Sequence, residues 1–199
     1  MTAERDEARV PFRVVLGDAN ILYSRVLRDY LLYAMTRRVV RVHWSAAILD
    51  EVVEHLSQNI DGFTVESGRR LVTAMNGAFP NAEVAPTADD LRTVAELALP
   101  DEDDRHVLAA AVAAEADVLC TDNIKHFPPD AMATIGIEAL TADELLTILV
   151  EDFGDDLLAA HRLTVSRLPG ATNESTIAAL RRANVSHAAD LIAALLSRS

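Results

Sequence analysis

The chain has 199 residues, half of them apolar, which is enough for one domain with a sizeable core or one domain with a small appendage. No apolar run approaches the roughly 18 residues of a membrane span. The N-terminal segment MTAERDEARVPF lacks the apolar core of a signal peptide, and the single cysteine excludes an internal disulfide, so we expect a cytoplasmic protein with no membrane partner. The net charge of −13 argues against a general nucleic-acid coat, but not against an enzyme that acts on nucleic acid through bound cations.

Short strands alternate with amphipathic helices over the first two thirds of the chain. We predict strands at 13–16, 39–44, 82–85, 118–120 and 136–140, and helices at 22–37, 65–78, 89–99 and 101–114 together with one that Ser45 caps. This alternation implies parallel strand pairing with helices on both faces of the sheet, an α/β fold. From Thr141 onward the pattern is helical only, with predicted helices at 142–150, 155–167, 174–183 and 187–196. We therefore predict a sheet domain at 11–140 and an all-helical extension at 141–199.

Asp18 follows the first predicted strand directly, in the stretch VVLGDANIL. Open α/β sheets place their ligand sites at the carboxyl ends of the strands, so this carboxylate is a candidate metal ligand or catalytic base. Asp and Asn are also ordinary helix caps, and that interpretation stays open for Asp18 and Asn20.

Two further carboxylates border buried helix faces. Glu51 lies beside the apolar stripe of the helix that follows the second strand, where the alternative is a half-exposed surface residue. In the run Asp101 to Asp104 the first residue can cap a helix, whereas Asp104 precedes Val107 and Leu108 at helical spacing and shares their inward face. Asp104 is therefore the candidate ligand of this run.

Thr121, Asp122 and Asn123 follow the fourth predicted strand, with a simple turn as the alternative interpretation. Together with Asp18, Glu51 and Asp104 they would place oxygen-rich groups at one sheet edge, which suits Mg²⁺ or Mn²⁺. The six histidines lack paired zinc-ligand spacing, and the chain has no P-loop and no dinucleotide-binding glycine motif. A cluster of arginines that includes Arg25 and Arg28 is either a solvated helix face or a set of phosphate contacts.

The segments VVLGDANIL, HWSAAILDEVVEHL and LPDEDDRHVLAAAVAAEADVLCTDNIKHFP resemble, in this order, the successive motifs of a PIN domain. The likeness is closest to VapC-type toxins, the ribonuclease components of bacterial toxin–antitoxin pairs, and covers about residues 14–140. It implies a three-layer α/β/α sandwich and an endoribonuclease that depends on Mg²⁺ or Mn²⁺ and hydrolyses RNA phosphodiester bonds with metal-activated water. It further implies a cognate antitoxin as partner.

The resemblance also implies roles for individual residues. Asp18, Glu51 and Asp104 would be catalytic metal ligands, Asn20 would support Asp18, and Thr121 would position water or phosphate. Many family members read Thr-x-Asp after the fourth strand, so Asn123 stands where the last acidic residue is expected and Asp122 is one position early. Either Asp122 completes the catalytic metal site through a shifted turn, with Asn123 beside it, or the second metal position is weak. Arg25 and Arg28 would contact flanking phosphates.

Three alternatives concern the protein as a whole. The helical extension either packs on the sheet domain for stability or carries a homodimer contact, an antitoxin contact or an RNA-selecting surface. A PIN nuclease of RNA processing without a toxin role is the first competing function. A non-catalytic PIN-like binding module is the second, because of Asn123 and the acidic net charge.

Overall fold

The computed structural model describes residues 13–198, which divide into two compact units. The sheet unit comprises residues 14–24 and 42–141, and the helical unit comprises residues 25–41 and 142–198 together with Arg13. The predicted boundary near residue 141 coincides with one division, whereas residues 25–41 cluster with the C-terminal helices. The domains 11–140 and 141–199 stay predictions, and their residues 11, 12 and 199 lie outside the described part.

A five-stranded sheet organises the sheet unit, with strand order β3-β2-β1-β4-β5. The strands are β1 Val14–Gly17, β2 Arg41–Ser45, β3 Glu83–Val84, β4 Val118–Cys120 and β5 Glu138–Leu140. The pairs β1–β4, β4–β5 and β2–β3 are parallel, with Gly17 opposite Cys120 and Cys120 opposite Leu140. The neighbouring strands β1 and β4 lie inside the sheet and are largely buried, which agrees with their apolar sequences VVL and VLC. The predicted α/β fold with a parallel central sheet and C-terminal helices is confirmed.

Six helices of the sheet unit accompany these strands. They are α1 Ala19–Tyr23, α3 Ala46–Asn59, α4 Val65–Ala78, α5 Ala88–Ala95, α6 Arg105–Ala113 and α7 Pro129–Ile135. Ser45 caps α3 as predicted, since its hydroxyl accepts from the Ile48 amide at 3.3 Å. Two helices thus begin directly after strands, α1 after β1 and α3 after β2, which brings their first turns to the carboxyl edge of the sheet.

The helical unit contains α2 Arg25–Thr36, α8 Ala142–Arg167, α9 Asn173–Arg182 and α10 His187–Leu196. These helices pack on one another through buried apolar side chains. Examples are Leu145, Leu149 and Leu157 of α8 and Ile192 of α10. Within residues 13–198, no helix combines the length and apolar character needed to cross a membrane.

At three places the structure differs from the prediction in the number of α-helices and not only in their ends. The predicted helix at 22–37 is two helices in different units, because Ser24 has an extended backbone (φ −67°, ψ 114°). The sequence analysis missed α7, which Pro129 begins and Gly136 ends with a left-handed backbone (φ 69°). The helices predicted at 142–150 and 155–167 run together as α8, with a kink at Phe153 (φ −136°, ψ 42°).

Gly68 marks a close approach between α4 and α3. A Cβ at this position would lie 2.5 Å from Val53 Cγ1, and the β-branched Val53 has little freedom to move away. We expect Gly68→Ala to lower the free energy of unfolding by about 1–2 kcal/mol, because overpacking outweighs the gain in helix propensity. Gly77→Ala in the same helix is the matched control, since a Cβ there has no neighbour within 4 Å. It should stabilise the protein by about 0.5–1 kcal/mol. Urea unfolding of both variants tests the pair, and equal effects would contradict the expectation.

Candidate active site

The carboxyl ends of β1 and β4 deliver polar side chains to the same edge of the sheet. Asp18 and Thr121 are the first residues after these strands. Their backbones continue the hydrogen bonding of the sheet by one residue, because Asp18 N–H donates to Cys120 O at 3.0 Å and Thr121 N–H donates to Leu140 O at 2.9 Å. The two side chains are therefore held by the sheet itself, although 103 positions separate them in the sequence.

Asp18 is a buried carboxylate, 5% exposed, with both oxygens hydrogen-bonded. Its Oδ1 accepts from the Ala19 amide at 2.6 Å. Its Oδ2 accepts from Asn20 Nδ2 at 2.7 Å and from the Thr121 hydroxyl at 2.6 Å. The two interpretations of Asp18 as a helix cap and as a site carboxylate are thus compatible, since one oxygen caps α1 and the other faces the polar groups of the site.

Asn20 and Thr121 join the loop after β1 to the loop after β4. Asn20 Nδ2 donates to the Thr121 hydroxyl oxygen at 3.0 Å, and Asn20 Oδ1 accepts from the Asp122 amide at 3.1 Å. The Thr121 hydroxyl oxygen also accepts from the Asn123 amide at 3.1 Å. These hydrogen bonds are what a supporting role for Asn20 and Thr121 would need, and that role stays a prediction.

Glu51 and Asp104 act electrostatically on Asp18. Burial is the main cause that raises the pKa of Asp18, and the negative charges of Glu51 and Asp104 raise it further, whereas its hydrogen bonds from Thr121 and Ala19 lower it. Three of the four predicted metal ligands are thus close enough for mutual repulsion. A bound cation would relieve this repulsion, as expected for a metal site.

His106 is a partner that the sequence analysis did not assign. Its Nε2 lies 2.7 Å from Glu51 Oε1. The hydrogen bond to Glu51 is the main cause that raises the pKa of His106, and the charges of Glu51, Asp18 and Asp104 act in the same direction. The sequence contains no local signal for this contact, because it joins α6 to α3.

Asp104 also belongs to a compact group with Asp101 and His126. A short 3₁₀ helix, Glu102–Asp104, follows Asp101, and at three residues per turn Asp101 and Asp104 fall on the same side. His126 Nδ1 lies 2.7 Å from Asp104 Oδ2. Within residues 13–198, this is the one group of three or more His, Cys, Asp or Glu side chains whose ligand atoms all lie within 4.8 Å of one another.

The sequence analysis did not propose Asp101 or His126 for the site. Asp101 was assigned only a capping role, which it does have, because its side chain accepts from the Asp103 amide at 3.0 Å. The three-residue spacing to Asp104 was the available signal. His126 lies 22 positions further along the chain and gave none.

Asp122 and Asn123 are both exposed, and their backbone amides hold the loop to Asn20 and Thr121. The completion of a metal site by Asp122 or Asn123 stays a prediction.

Arg25 and Arg28, the predicted phosphate contacts, belong to the helical unit. Arg25 is exposed and pairs with Asp29, with Nε 3.8 Å from Oδ2. Arg28 is buried, and this burial is the main cause that lowers its pKa. A phosphate-binding role for either arginine stays a prediction.

The donor set fits a divalent cation such as Mg²⁺ or Mn²⁺. Asp18, Glu51 and Asp104 provide carboxylate oxygens, which these hard cations prefer, but their ligand atoms do not all lie within 4.8 Å of one another, so in this arrangement a water would link at least one of them to the ion. The oxygen-rich groups predicted for this edge thus come from β1, α3, the turn before α6 and the loop after β4.

Two comparisons with known proteins found similar sequences. The family model described as the PIN domain matches residues 13–125, more than half of the chain. A protein of Mycobacterium tuberculosis (strain ATCC 25618 / H37Rv), named "Putative ribonuclease VapC50", is 56% identical over 43 residues, which are 22% of this chain and 25% of that protein. The match therefore spans about a quarter of the length of the relative. No solved structure shows significant similarity to the chain.

Proposed function

This chain belongs to the PIN-domain family, and on that premise we propose that it is a divalent-metal-dependent endoribonuclease that acts as the toxin of a toxin–antitoxin pair. The observation that carries the proposal is the hydrogen-bonded group of Asp18, Asn20 and Thr121 at the ends of β1 and β4, under the charges of Glu51 and Asp104. The name of the M. tuberculosis relative supports ribonuclease activity, and its resemblance over a short stretch supports the toxin role.

Asp18, Glu51 and Asp104 would hold the cation directly or through water, with Asp122 or Asn123 completing the site. A Mg²⁺ or Mn²⁺ ion bound there supplies activation of water and stabilisation of charge on the phosphate. Asn20 and Thr121 fix the orientation of Asp18 through hydrogen bonds to its Oδ2, so that the carboxylate needs no rearrangement. RNA would be drawn to the bound cation despite the chain's net charge of −13.

The proposed partners are an RNA substrate and an antitoxin protein, and the proposed location is the cytoplasm. The helical unit is a candidate surface for an antitoxin or a homodimer contact. Expression in a bacterial host tests the toxin role, since growth should stop and a neighbouring gene's product should restore it. Cleavage activity without any growth defect would favour the alternative of an RNA-processing nuclease.

Cleavage of total cellular RNA by the purified, antitoxin-free protein tests the nuclease. We expect discrete fragments with Mg²⁺ or Mn²⁺, and their loss in EDTA. Asp104→Asn should lower the cleavage rate on the order of 10²-fold or more, because it removes a charged ligand of the cation. Asp103→Asn is the matched control, since the neighbouring Asp103 is exposed, and it should cleave at the wild-type rate.

Two results would overturn the proposed nuclease. Cleavage that survives in Asp104→Asn would indicate a contaminant or a different catalytic centre. A folded protein that neither cleaves RNA nor binds Mn²⁺ would favour the non-catalytic binding module, which Asn123 at the fourth acidic position suggests.

A further inference from the structure

His126 places an imidazole at the candidate cation site, from the loop that follows β4. It ends the short 3₁₀ helix Ile124–His126, and its side chain is 27% exposed beside that of Asp104, which is 22% exposed. The 2.7 Å distance from Nδ1 to Asp104 Oδ2 and the presence of Asp101 within the same 4.8 Å group give a nitrogen donor and two carboxylates in one place.

The β4 loop makes this contact where the family pattern leads one to expect a carboxylate. Asn123 occupies the expected acidic position, and its backbone N–H donates to the Thr121 hydroxyl oxygen at 3.1 Å. The loop contacts Asp104 through the His126 imidazole, so one nitrogen donor joins a site otherwise composed of oxygens.

We propose that His126 is a metal ligand which, with Asp104 and Asp101, makes the cation site prefer Mn²⁺ to Mg²⁺. This inference rests on the divalent-cation site of the proposed nuclease and adds two ligands to it. Imidazole binds first-row transition metals well, whereas Mg²⁺ prefers oxygen ligands and retains several waters. A mixed set of one imidazole and two carboxylates therefore favours Mn²⁺ more than a set of carboxylates alone would. The family match to a PIN domain supports a cation at this edge independently of the His126 geometry.

Metal binding to the full chain tests the proposal without any nuclease assay. Mn²⁺ and Mg²⁺ are titrated separately by calorimetry into the wild type, His126→Gln and His126→Asp. His126→Gln should weaken Mn²⁺ binding by about tenfold or more and Mg²⁺ binding by less than about threefold. His126→Asp supplies an oxygen in place of the nitrogen, so it should keep tight binding of both ions while losing the preference for Mn²⁺. His187→Gln, a substitution of an exposed histidine in α10, should bind both ions as the wild type does.

Pulsed EPR of the bound Mn²⁺ gives a second readout that a merely structural role would not change. The wild type and His187→Gln should show the signal of a directly coordinated nitrogen, and His126→Gln should lose it. Circular dichroism verifies that the variants are folded. If His126→Gln fails to fold, His126→Asp decides the question through the same lost nitrogen signal.

Three results would overturn the inference: no nitrogen signal in the wild type, a signal that persists in His126→Gln, or equal weakening of Mn²⁺ and Mg²⁺ binding. RNA cleavage by the wild type in saturating Mg²⁺ is measured in parallel, so that a wrong assignment of His126 can be distinguished from a wrong proposal of nuclease activity. If the protein cleaves RNA but binds Mn²⁺ no more tightly than Mg²⁺, the role of His126 is contradicted and the nuclease proposal is not. A nitrogen signal that depends on His126 in a protein that cleaves no RNA contradicts the nuclease and leaves the His126 ligand standing.

Discussion

Asp18→Asn should lower RNA cleavage on the order of 10³-fold while leaving the fold intact. The amide has nearly the same shape as the carboxylate, and its oxygen can keep the cap on the Ala19 amide, so α1 should still begin at Ala19. Its nitrogen replaces the oxygen that accepts from Asn20 and Thr121, so those two side chains must reorient. The lost charge matters more, because a cation at this edge needs anionic ligands and Asp18 is the buried one, 5% exposed. Interactions with a catalytic metal contribute several kcal/mol to transition-state stabilisation, which corresponds to this size of rate loss.

Asp117→Asn is the matched control for this substitution. Asp117 also accepts a backbone hydrogen bond, from the Val14 amide at 2.8 Å, but it lies at the opposite end of the β1–β4 pair. We expect near wild-type cleavage from this variant. A parallel measurement is the melting temperature with and without Mn²⁺, because an ion that binds only the folded state stabilises it. Mn²⁺ should raise the melting temperature of the wild type and of Asp117→Asn, and have little effect on Asp18→Asn. Cleavage by Asp18→Asn within about tenfold of the wild type would remove Asp18 from the catalytic site.

His161→Ala should lower the free energy of unfolding at pH 7.5 by about 2–4 kcal/mol. His161 is fully buried in the helical unit, on α8, and both ring nitrogens have partners. Its Nε2–H donates to Asn173 Oδ1 at 3.1 Å, and its Nδ1 accepts from the Tyr30 hydroxyl. These two hydrogen bonds join α8 to α9 and to α2. The neutral imidazole can form both of them, because it has one N–H donor and one nitrogen acceptor. The truncation would leave a cavity and two buried polar partners unpaired, which accounts for the expected loss.

The same residue makes stability depend on pH. Burial is the main cause that lowers the pKa of His161 below its ordinary value of 6.5, with the positive charge of Arg162 acting in the same direction and the bond to Asn173 opposing it. The unfolded chain therefore binds more protons than the folded one below pH 6.5. The contribution of His161 to stability is complete above pH 6.5 and is lost progressively as the pH falls through the folded-state pKa.

Urea unfolding from pH 8 to pH 5.5, followed by circular dichroism, measures this dependence. The wild type should lose more stability over this range than His161→Gln, a variant that retains polar groups but cannot be protonated. Other titrating groups, such as His106 and Asp18, are common to both proteins, so the difference between the two curves isolates His161. Parallel curves would show that the protonation of His161 does not affect folding.

The strand pattern of the sheet unit was predictable from the sequence because short apolar runs and their polar ends are local features. VVLG and VLC are apolar segments followed at once by Asp18 and Thr121, and the structure contains β1 and β4 at these positions. Parallel α/β topology then requires such strand ends to lie at one edge. The family resemblance follows from the same local motifs, and the match over residues 13–125 confirms it.

Helix boundaries were less predictable where a single backbone conformation decides them. The extended backbone of Ser24 separates α1 from α2 within one apolar pattern. The helix α7 contains only seven residues, and its proline start resembled a turn. In both cases the spacing of apolar side chains along the sequence does not indicate the backbone angles of the residues at which the helix begins or ends.

The α/β fold, the family and the oxygen-rich strand ends of the candidate site could all be predicted from local motifs in the amino-acid chain. The contacts between distant groups could not be predicted in this way and are seen only in the three-dimensional structure: Glu51 with His106, and Asp104 with Asp101 and His126. It also assigned residues 25–41 to the unit of the C-terminal helices. Strands and helices form from local apolar patterns, whereas the contact between Asp104 and His126 joins the turn before α6 to the loop after β4 and depends on tertiary packing. That geometry depends on where α6 begins and where β4 ends in space, which no local pattern near either residue records.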